Sequence, residues 1–142
     1  MRFEHVNLRV NDIDHSLRFY RAAFPHWQIR GGGSGSSDGK RWRWIHFGDE
    51  YCYIAFVDGG TGANRDLDAD HVGLAHFAFE TQDLDGLVGR LAEVGFKPSD
   101  PGAADPHRRN IYFVDNDGFE IEFVQYSCDD PKQRNRYANN TT

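Results

Sequence analysis

The sequence has 142 residues, 39% of them hydrophobic, and its 22 Asp and Glu residues outnumber 16 Lys and Arg residues, giving a formal net charge of −6. This length and composition predict one globular domain with a single core. The negative charge, with basic residues only in short runs, argues against a nucleic-acid partner. No apolar run approaches the roughly 20 residues that a membrane-spanning helix needs, which argues against a membrane partner.

The cellular setting is suggested by the first residues and by the cysteines. The chain begins directly with an alternating strand pattern and shows no apolar signal region, so we expect a cytoplasmic protein. Cys52 and Cys128 are too few for a disulfide framework, and we expect both to be reduced.

Two halves of the sequence follow the same pattern, with residues 5–8 aligning to 76–79 and residues 53–56 to 120–123. Each half opens with an alternating apolar strand, an Asp that can cap a helix and apolar residues at helical spacing. Each half therefore predicts a strand, a helix and about three more strands, and the whole predicts an α+β fold. A Gly-rich segment over residues 31–39 predicts a flexible surface hairpin or flap, either a spacer or a lid.

The expected organisation is a single domain over residues 1–126. Its parts are module one at about 1–58, a linker at about 59–71, module two at about 72–126, and a polar C-terminal tail at 127–142. The helix of the first half would bury Ile13, Leu17, Tyr20 and Phe24, and that of the second half Leu84, Leu87, Val88 and Leu91.

Strand periodicity places polar residues on the sheet face away from the helices. These residues are His5, Asn7, Arg9, His76, Glu120 and Glu122. Two histidines and one carboxylate from separate strands form a facial set of nitrogen and oxygen ligands for a divalent metal, leaving positions for water or substrate. Taken singly, each histidine is equally well explained as a structural imidazole.

Four stretches carry a resemblance to a known family: HVNLRVND at 5–12, SLRFY at 16–20, HFAFE with the following DLD within 76–85, and IYFVDNDGFEIE at 111–122. They resemble the vicinal oxygen chelate superfamily, which includes glyoxalase I, extradiol dioxygenases, fosfomycin resistance enzymes and bleomycin resistance proteins. The resemblance covers about residues 3–126. It implies paired βαβββ modules in a U-shaped, barrel-like mixed sheet, whose concave face binds a metal through His5, His76 and Glu122.

Departures from the family patterns narrow the implied activity. Glyoxalase I-like members carry a fourth ligand, usually Glu, where this chain has Ala55, and an alanine methyl cannot bind a metal. The His, His, Glu pattern with Tyr112 resembles extradiol dioxygenases and fosfomycin-modifying enzymes. The extradiol pattern, however, has Pro at the position of Asn116. Residues 98–110 also lack the Lys- and Ser-containing loop of the fosfomycin enzymes, and Asn7 replaces their usual hydroxyl residue.

Roles for individual residues follow from this resemblance and from strand periodicity. We expect Tyr112 and Glu122 to be catalytic, with an iron, manganese, nickel or zinc ion as the cofactor; a packed strand aromatic is the alternative for Tyr112. The expected substrate contacts are Asn7, Arg9, Trp44, Tyr53 and His107. If the strand face of Trp44 lines the cavity, an aromatic or apolar substrate fits; packing between modules or chains is the alternative. His107 is either a mobile acid or base or simply exposed to solvent.

These features predict a divalent-metal-dependent lyase, isomerase or dioxygenase that binds vicinal oxygens of a small substrate. The alternative is a metal-free binding protein similar to the bleomycin resistance members, which the negative charge fits. The intact ligand set argues against this alternative, because unpaired imidazole and carboxylate groups are costly to desolvate. We also expect a homodimer, because open sheet edges and a polar tail favour association.

Overall fold

The computed structural model describes residues 1–103 and 105–136. The chain divides into two compact units, Met1–Asn64 and Arg65–Thr142. Within the described residues there is a four-stranded and a three-stranded sheet, each with helix packed on one face. The predicted α+β class is confirmed. None of the described helices combines the length and apolar character needed to cross a membrane.

The first unit follows the predicted order of one strand, one helix and three strands. Its elements are β1 (His5–Arg9), α1 (Ile13–Ala23), β2 (Gln28–Ser37), β3 (Lys40–Gly48) and β4 (Tyr53–Val57). The sheet order is β1-β4-β3-β2, with β1 parallel to β4 and the other neighbours antiparallel.

Helix α1 is fixed at its start by a side-chain cap and along its length by apolar burial. The Asp12 carboxylate accepts a hydrogen bond of 2.8 Å from the backbone N–H of His15. The core of this unit consists of Leu8, Val10, Ile13, Leu17, Phe19, Tyr20, Ala23, Phe47, Ile54, Ala55 and Phe56. Phe24, which the helical spacing also placed in the core, is only half-buried at the end of α1 and stacks on Trp27 at 4.2 Å.

The Gly-rich segment forms the predicted surface hairpin with β3, but as a regularly paired strand and not as a flexible flap. Residues 31–37 pair with β3 in regular antiparallel register, and only Asp38 and Gly39 form the turn of the hairpin. The indole rings of Trp42 and Trp44 lie over Gly35 and Gly33, where a Cβ atom would collide with them. Backbone pairing and cross-strand aromatic cover therefore stabilise a segment whose own side chains contribute little.

The second unit contains β5 (Phe77–Glu80), α2 (Leu84–Glu93), β6 (Arg108–Val114), β7 (Glu120–Tyr126) and α3 (Pro131–Arg134). The sheet order is β5-β7-β6, with β5 parallel and β6 antiparallel to β7. The core consists of Leu84, Leu87 and Leu91 from α2, and Phe113, Ile121 and Phe123 from the sheet. Val88, predicted to face the core, is half-buried.

The third strand predicted after α2 is reduced, in the described residues, to two isolated bridges, Asp100 with Tyr112 and Asp105 with Arg108. Pro98, Pro101 and Pro106 interrupt this stretch. Because proline lacks the backbone N–H that a strand donates, these prolines keep the segment from pairing regularly with β6.

The tail after β7 packs on its own unit. The Arg134 guanidinium hydrogen-bonds the Glu80 carboxylate, with Nη1 to Oε1 at 3.0 Å, and lies 3.9 Å from the ring centroid of Tyr126. The remainder of the predicted tail, residues 137–142, lies outside the described residues.

Candidate functional site

Three strands of the second unit bring polar side chains together on the sheet face opposite α2. Glu122 lies in the central strand β7 and is directly opposite Tyr112 of β6. His76 immediately precedes β5, which runs along the other side of β7. Because side chains alternate along a strand, Asn110 shares this face with Tyr112. We call these four residues the Glu122 cluster: His76, Asn110, Tyr112 and Glu122.

The Glu122 carboxylate is the centre of this cluster. Its Oε2 lies 3.2 Å from His76 Nε2, and its Oε1 accepts a hydrogen bond of 2.8 Å from Asn110 Nδ2. The same Asn110 nitrogen donates to the Tyr112 hydroxyl at 3.2 Å. The His76 and Tyr112 rings meet edge to face at 5.4 Å. Glu120 lies further out, with Oε2 at 4.0 Å from His76 Nδ1.

Burial differs among the residues of the cluster, and it affects the pKa of the tyrosine. The Glu122 side chain is 16% exposed, whereas that of His76 is 38% exposed. Burial raises the pKa of the Tyr112 phenol above its ordinary value, and the negative charge of Glu122 raises it further. Tyr112 is therefore protonated at neutral pH, and its O–H can donate a hydrogen bond.

In the first unit, aromatic rings form a stacked row on the sheet face away from α1. The Tyr53 ring lies between His5, at 4.7 Å, and His46, at 4.3 Å, and is stacked with both. Trp44 continues the row at 4.9 Å from His46, and the Arg30 guanidinium lies 4.8 Å from the Tyr53 centroid. We call the rings of His5, Tyr53, His46 and Trp44 the aromatic row. The strand face of Trp44 is thus the face of His5.

Charged side chains lie close to the two histidines of the aromatic row, His5 and His46. His5 Nδ1 lies 2.6 Å from Glu4 Oε2, and hydrogen bonding to His5 lowers the pKa of the Glu4 carboxyl. Burial lowers the pKa of His46, and the neighbouring charges of His5 and Arg30 lower it further. His46 is therefore neutral at physiological pH.

The remaining predicted site residues are placed as follows. Asn7 lies opposite Ala55 in the parallel pair β1 and β4. Arg9 donates from Nη1 to the carbonyl of Asp58 at 3.0 Å. His107 is half-buried just before β6, and its carbonyl accepts from Ser127. The substrate-contact roles of these residues remain predictions.

Our sequence reasoning missed Asn110, and it gave no role to Arg30 or His46. Asn110 has no signature of its own, but its position two residues before Tyr112 in a strand places both on one face. Arg30 follows Ile29 at a register shift of the hairpin, which simple alternation does not anticipate.

A metal ion has a partial donor set in the second unit. No group of three or more His, Cys, Asp or Glu side chains is arranged to hold a metal ion within residues 1–103 and 105–136. The His76 and Glu122 pair nevertheless fits: neighbouring ligands at about 2.1 Å from one ion lie roughly 3.0–3.4 Å apart. The observed separation of Nε2 and Oε2 is 3.2 Å.

Comparisons with known proteins agree with this fold. A family model described as Glyoxalase/Bleomycin resistance protein/Dioxygenase superfamily matches residues 2–123. A glyoxylase/bleomycin resistance protein/dioxygenase domain from Frankia sp. EAN1pec is 27% identical, with a TM-score of 0.71 over 89% of this chain and 98% of that chain.

Two structures with lower identity share the fold. The fosfomycin resistance protein FosX from Listeria monocytogenes, complexed with Mn(II) and sulfate, has a TM-score of 0.68 at 20% identity, covering 95% of this chain and 98% of that chain. Glyoxalase I from Leishmania major has a TM-score of 0.64 at 21% identity, covering 88% and 86%. No curated protein matches the sequence.

Proposed function

Because the chain belongs to the glyoxalase/bleomycin resistance protein/dioxygenase superfamily, we propose that it is a divalent-metal-dependent enzyme acting on vicinal oxygens of a small molecule. The observation that carries this proposal is the His76 and Glu122 pair, whose nitrogen and oxygen are 3.2 Å apart beside a protonated tyrosine. The reaction would be that of a lyase, isomerase or oxygenase.

The proposed ligands are His76 through Nε2 and Glu122 through Oε2. His5 of the first unit is proposed as a further ligand on the family pattern alone. Iron, manganese, nickel and zinc all accept such nitrogen and oxygen donors. When bound, the ion supplies positive charge that stabilises negative charge developing on the substrate oxygens.

The proposed role of Tyr112 is to donate a hydrogen bond to the substrate. Its raised pKa keeps the phenol protonated at neutral pH, so its O–H can donate a hydrogen bond to a substrate oxygen. Tyr112 lies directly opposite Glu122 on the neighbouring strand and is not itself a proposed metal ligand. A Tyr112→Phe variant should therefore retain metal while losing activity.

The aromatic row supports a substrate with a flat apolar part. Stacked rings provide a face for another ring, and Arg30 adds a positive charge beside them. The polar substrate contacts that we propose are Asn7, Arg9 and His107.

Metal content tests the proposal. Protein purified without chelator, measured by elemental analysis, should hold about one transition-metal ion per chain. The ion should be lost in His5→Ala, His76→Ala and Glu122→Ala but retained in His26→Ala, a control at an exposed histidine. Retention in the His5 variant alone would remove that residue from the ligand set. A wild-type protein that holds no metal and takes none up on dialysis would refute the proposal.

Metal should also stabilise the fold. A ligand that binds only the folded state, at 100 times its dissociation constant, raises the free energy of unfolding by about 2.7 kcal/mol. Mn(II) should therefore raise the thermal midpoint of the wild-type protein and leave that of Glu122→Ala unchanged. Equal midpoint shifts in the two proteins would place the ion elsewhere.

A second candidate is a metal-free protein that binds a cationic small molecule. The observation in its favour is that His76 and Glu122 contact each other and that Asn110 bonds the carboxylate. The sequence-based objection, that these groups would be left unpaired without a metal, is therefore wrong for the Glu122 cluster. Bleomycin binding by metal-free wild-type protein, measured by calorimetry, would favour this candidate if the elemental analysis finds no metal.

We also propose a cytoplasmic homodimer. Strand β2 is an edge of the first sheet, and its residues 31–34 and 36–37 are exposed. Light scattering on the purified protein should give twice the chain mass of 16.2 kDa. A mass of one chain across the micromolar range would refute the dimer.

A further inference from the structure

Asn110 contacts the two side chains of the second unit to which we assign catalytic roles, Tyr112 and Glu122. Its amide nitrogen donates to Glu122 Oε1 at 2.8 Å and to the Tyr112 hydroxyl at 3.2 Å. An amide NH₂ carries two hydrogens, so both bonds can form at once. An ionised carboxylate can only accept, which fixes the nitrogen end of the amide towards Glu122.

The opposite end of the amide is held by a loop. Gly102 has a φ of +74°, a conformation that glycine adopts without strain, and a Cβ atom there would lie 2.8 Å from Asn110 Cγ. The loop backbone therefore lies directly against the Asn110 side chain. Contact with Gly102 on one side and hydrogen bonds on the other leave this amide little freedom to rotate.

The bonding divides the two oxygens of Glu122 between different partners. Oε1 is bonded to Asn110, whereas Oε2 lies 3.2 Å from His76 Nε2. We propose that Asn110 is a positioning residue: it holds the Glu122 carboxylate so that Oε2 is presented beside His76 Nε2, and it orients the Tyr112 hydroxyl. This inference rests on the proposed function, because it assigns Oε2 as the metal-binding oxygen.

Such a residue acts on metal affinity through its neighbour. Hydrogen bonds to a ligating carboxylate fix its orientation, and losing such a partner weakens metal binding by about 10- to 100-fold. The Asn110→Ala change removes the amide and leaves both ligands of the second unit in place. The expected result is weaker binding with the same ligand set.

The experiment measures the dissociation constant of Mn(II), from the electron paramagnetic resonance signal of the free ion. Asn110→Ala should raise the constant by about 10- to 100-fold. Asn135→Ala, the same change at an exposed asparagine after α3, should leave it unchanged. Gly102→Ala should also raise it, because the new methyl group displaces the Asn110 amide. In the Asn110→Ala background the Gly102 change should add little, which a general loss of stability would not reproduce.

The outcomes distinguish a failure of the inference about Asn110 from a failure of the proposed function. Mn(II) binding that changes less than threefold in Asn110→Ala would overturn the inference and leave the proposed function standing. A wild-type protein that binds neither Mn(II) nor iron, nickel or zinc would refute the proposed function, and the Oε2 assignment with it. The contact to Glu122 is then decided without metal, by NMR of the Asn110 side-chain amide: its resonances should shift in Glu122→Ala, and unchanged resonances would overturn the positioning as well.

Discussion

In the β2–β3 hairpin, tryptophan rings lie over glycines of the facing strand. Replacing such a covered glycine with alanine should destabilise the protein, which is the opposite of the usual effect in a strand. Gly31 and Gly33 lie in the same strand, and neither has a positive φ. Replacing such a glycine with alanine normally stabilises a strand by about 0.5–1 kcal/mol. A Cβ at Gly31 would meet no heavy atom within 4 Å, whereas a Cβ at Gly33 would lie 2.8 Å from Trp44 Nε1.

The cost at Gly33 follows from the displaced indole. Moving the ring off the strand exposes about a third of the roughly 150–250 Å² that an aromatic side chain buries, which at about 25 cal/mol per Å² costs about 1.5 kcal/mol. The contact between Trp44 and His46, at 4.9 Å, is weakened too, at a cost of about 0.5–1 kcal/mol. These losses exceed the backbone gain, so Gly33→Ala should destabilise the protein by about 1.5 kcal/mol.

Thermal unfolding of the two variants provides the comparison. Gly31→Ala should unfold above the wild-type protein and Gly33→Ala below it, with a separation of about 2 kcal/mol, or about 8 °C in the midpoint. Near-UV circular dichroism should change only in Gly33→Ala, because only that methyl group meets the Trp44 ring. If both variants are equally stabilised, and the near-UV spectra agree, the tryptophan does not rest on the glycine and the reasoning is refuted.

Three further perturbations test other parts of the structure. Leu91→Ala, at a fully buried position of α2, should destabilise by about 2–5 kcal/mol in urea unfolding, and Val88→Ala by clearly less; equal losses would contradict the assigned core. The backbone N–H of Cys52 is the main cause of a lowered pKa at Asp49, so this carboxylate stabilises the fold above its unfolded pKa, and the contribution is lost as pH falls through the folded value. Asp49→Asn should therefore flatten the acid side of the stability profile, and an unchanged profile would dismiss the carboxylate's role. Arg134→Ala should release α3, seen as faster cleavage of the tail by proteinase K, which does not require the arginine that the change removes, whereas an unaltered rate would show that the ion pair does not hold it.

Local patterns in the sequence were sufficient for the class of the fold and for the faces of its strands. Burial of Leu8 and Val10 leaves His5 and Arg9 exposed, as alternation predicted, because successive side chains of a strand point to opposite faces. Helices α1 and α2 begin at the predicted positions, because an Asp carboxylate supplies the N-cap and the apolar residues that follow it form the buried face. At residues 31–37 the patterns predicted a surface hairpin but not its strand, because a strand stabilised by its partner's aromatic rings carries no apolar signal of its own.

The sequence by itself determined the α+β class and the polar strand faces that carry His5, His76 and Glu122, because strand alternation and helix capping are local. Tyr112 became a candidate through the family resemblance. The tertiary structure decided that Glu122 bonds Asn110 through Oε1 and approaches His76 through Oε2. It also decided that two isolated bridges, at Asp100 and Asp105, replace a strand in the described residues, and that Tyr53 stacks between His5 and His46. These contacts depend on strand register and ring orientation, which are set by residues far apart in the chain and leave no periodic signal in the sequence.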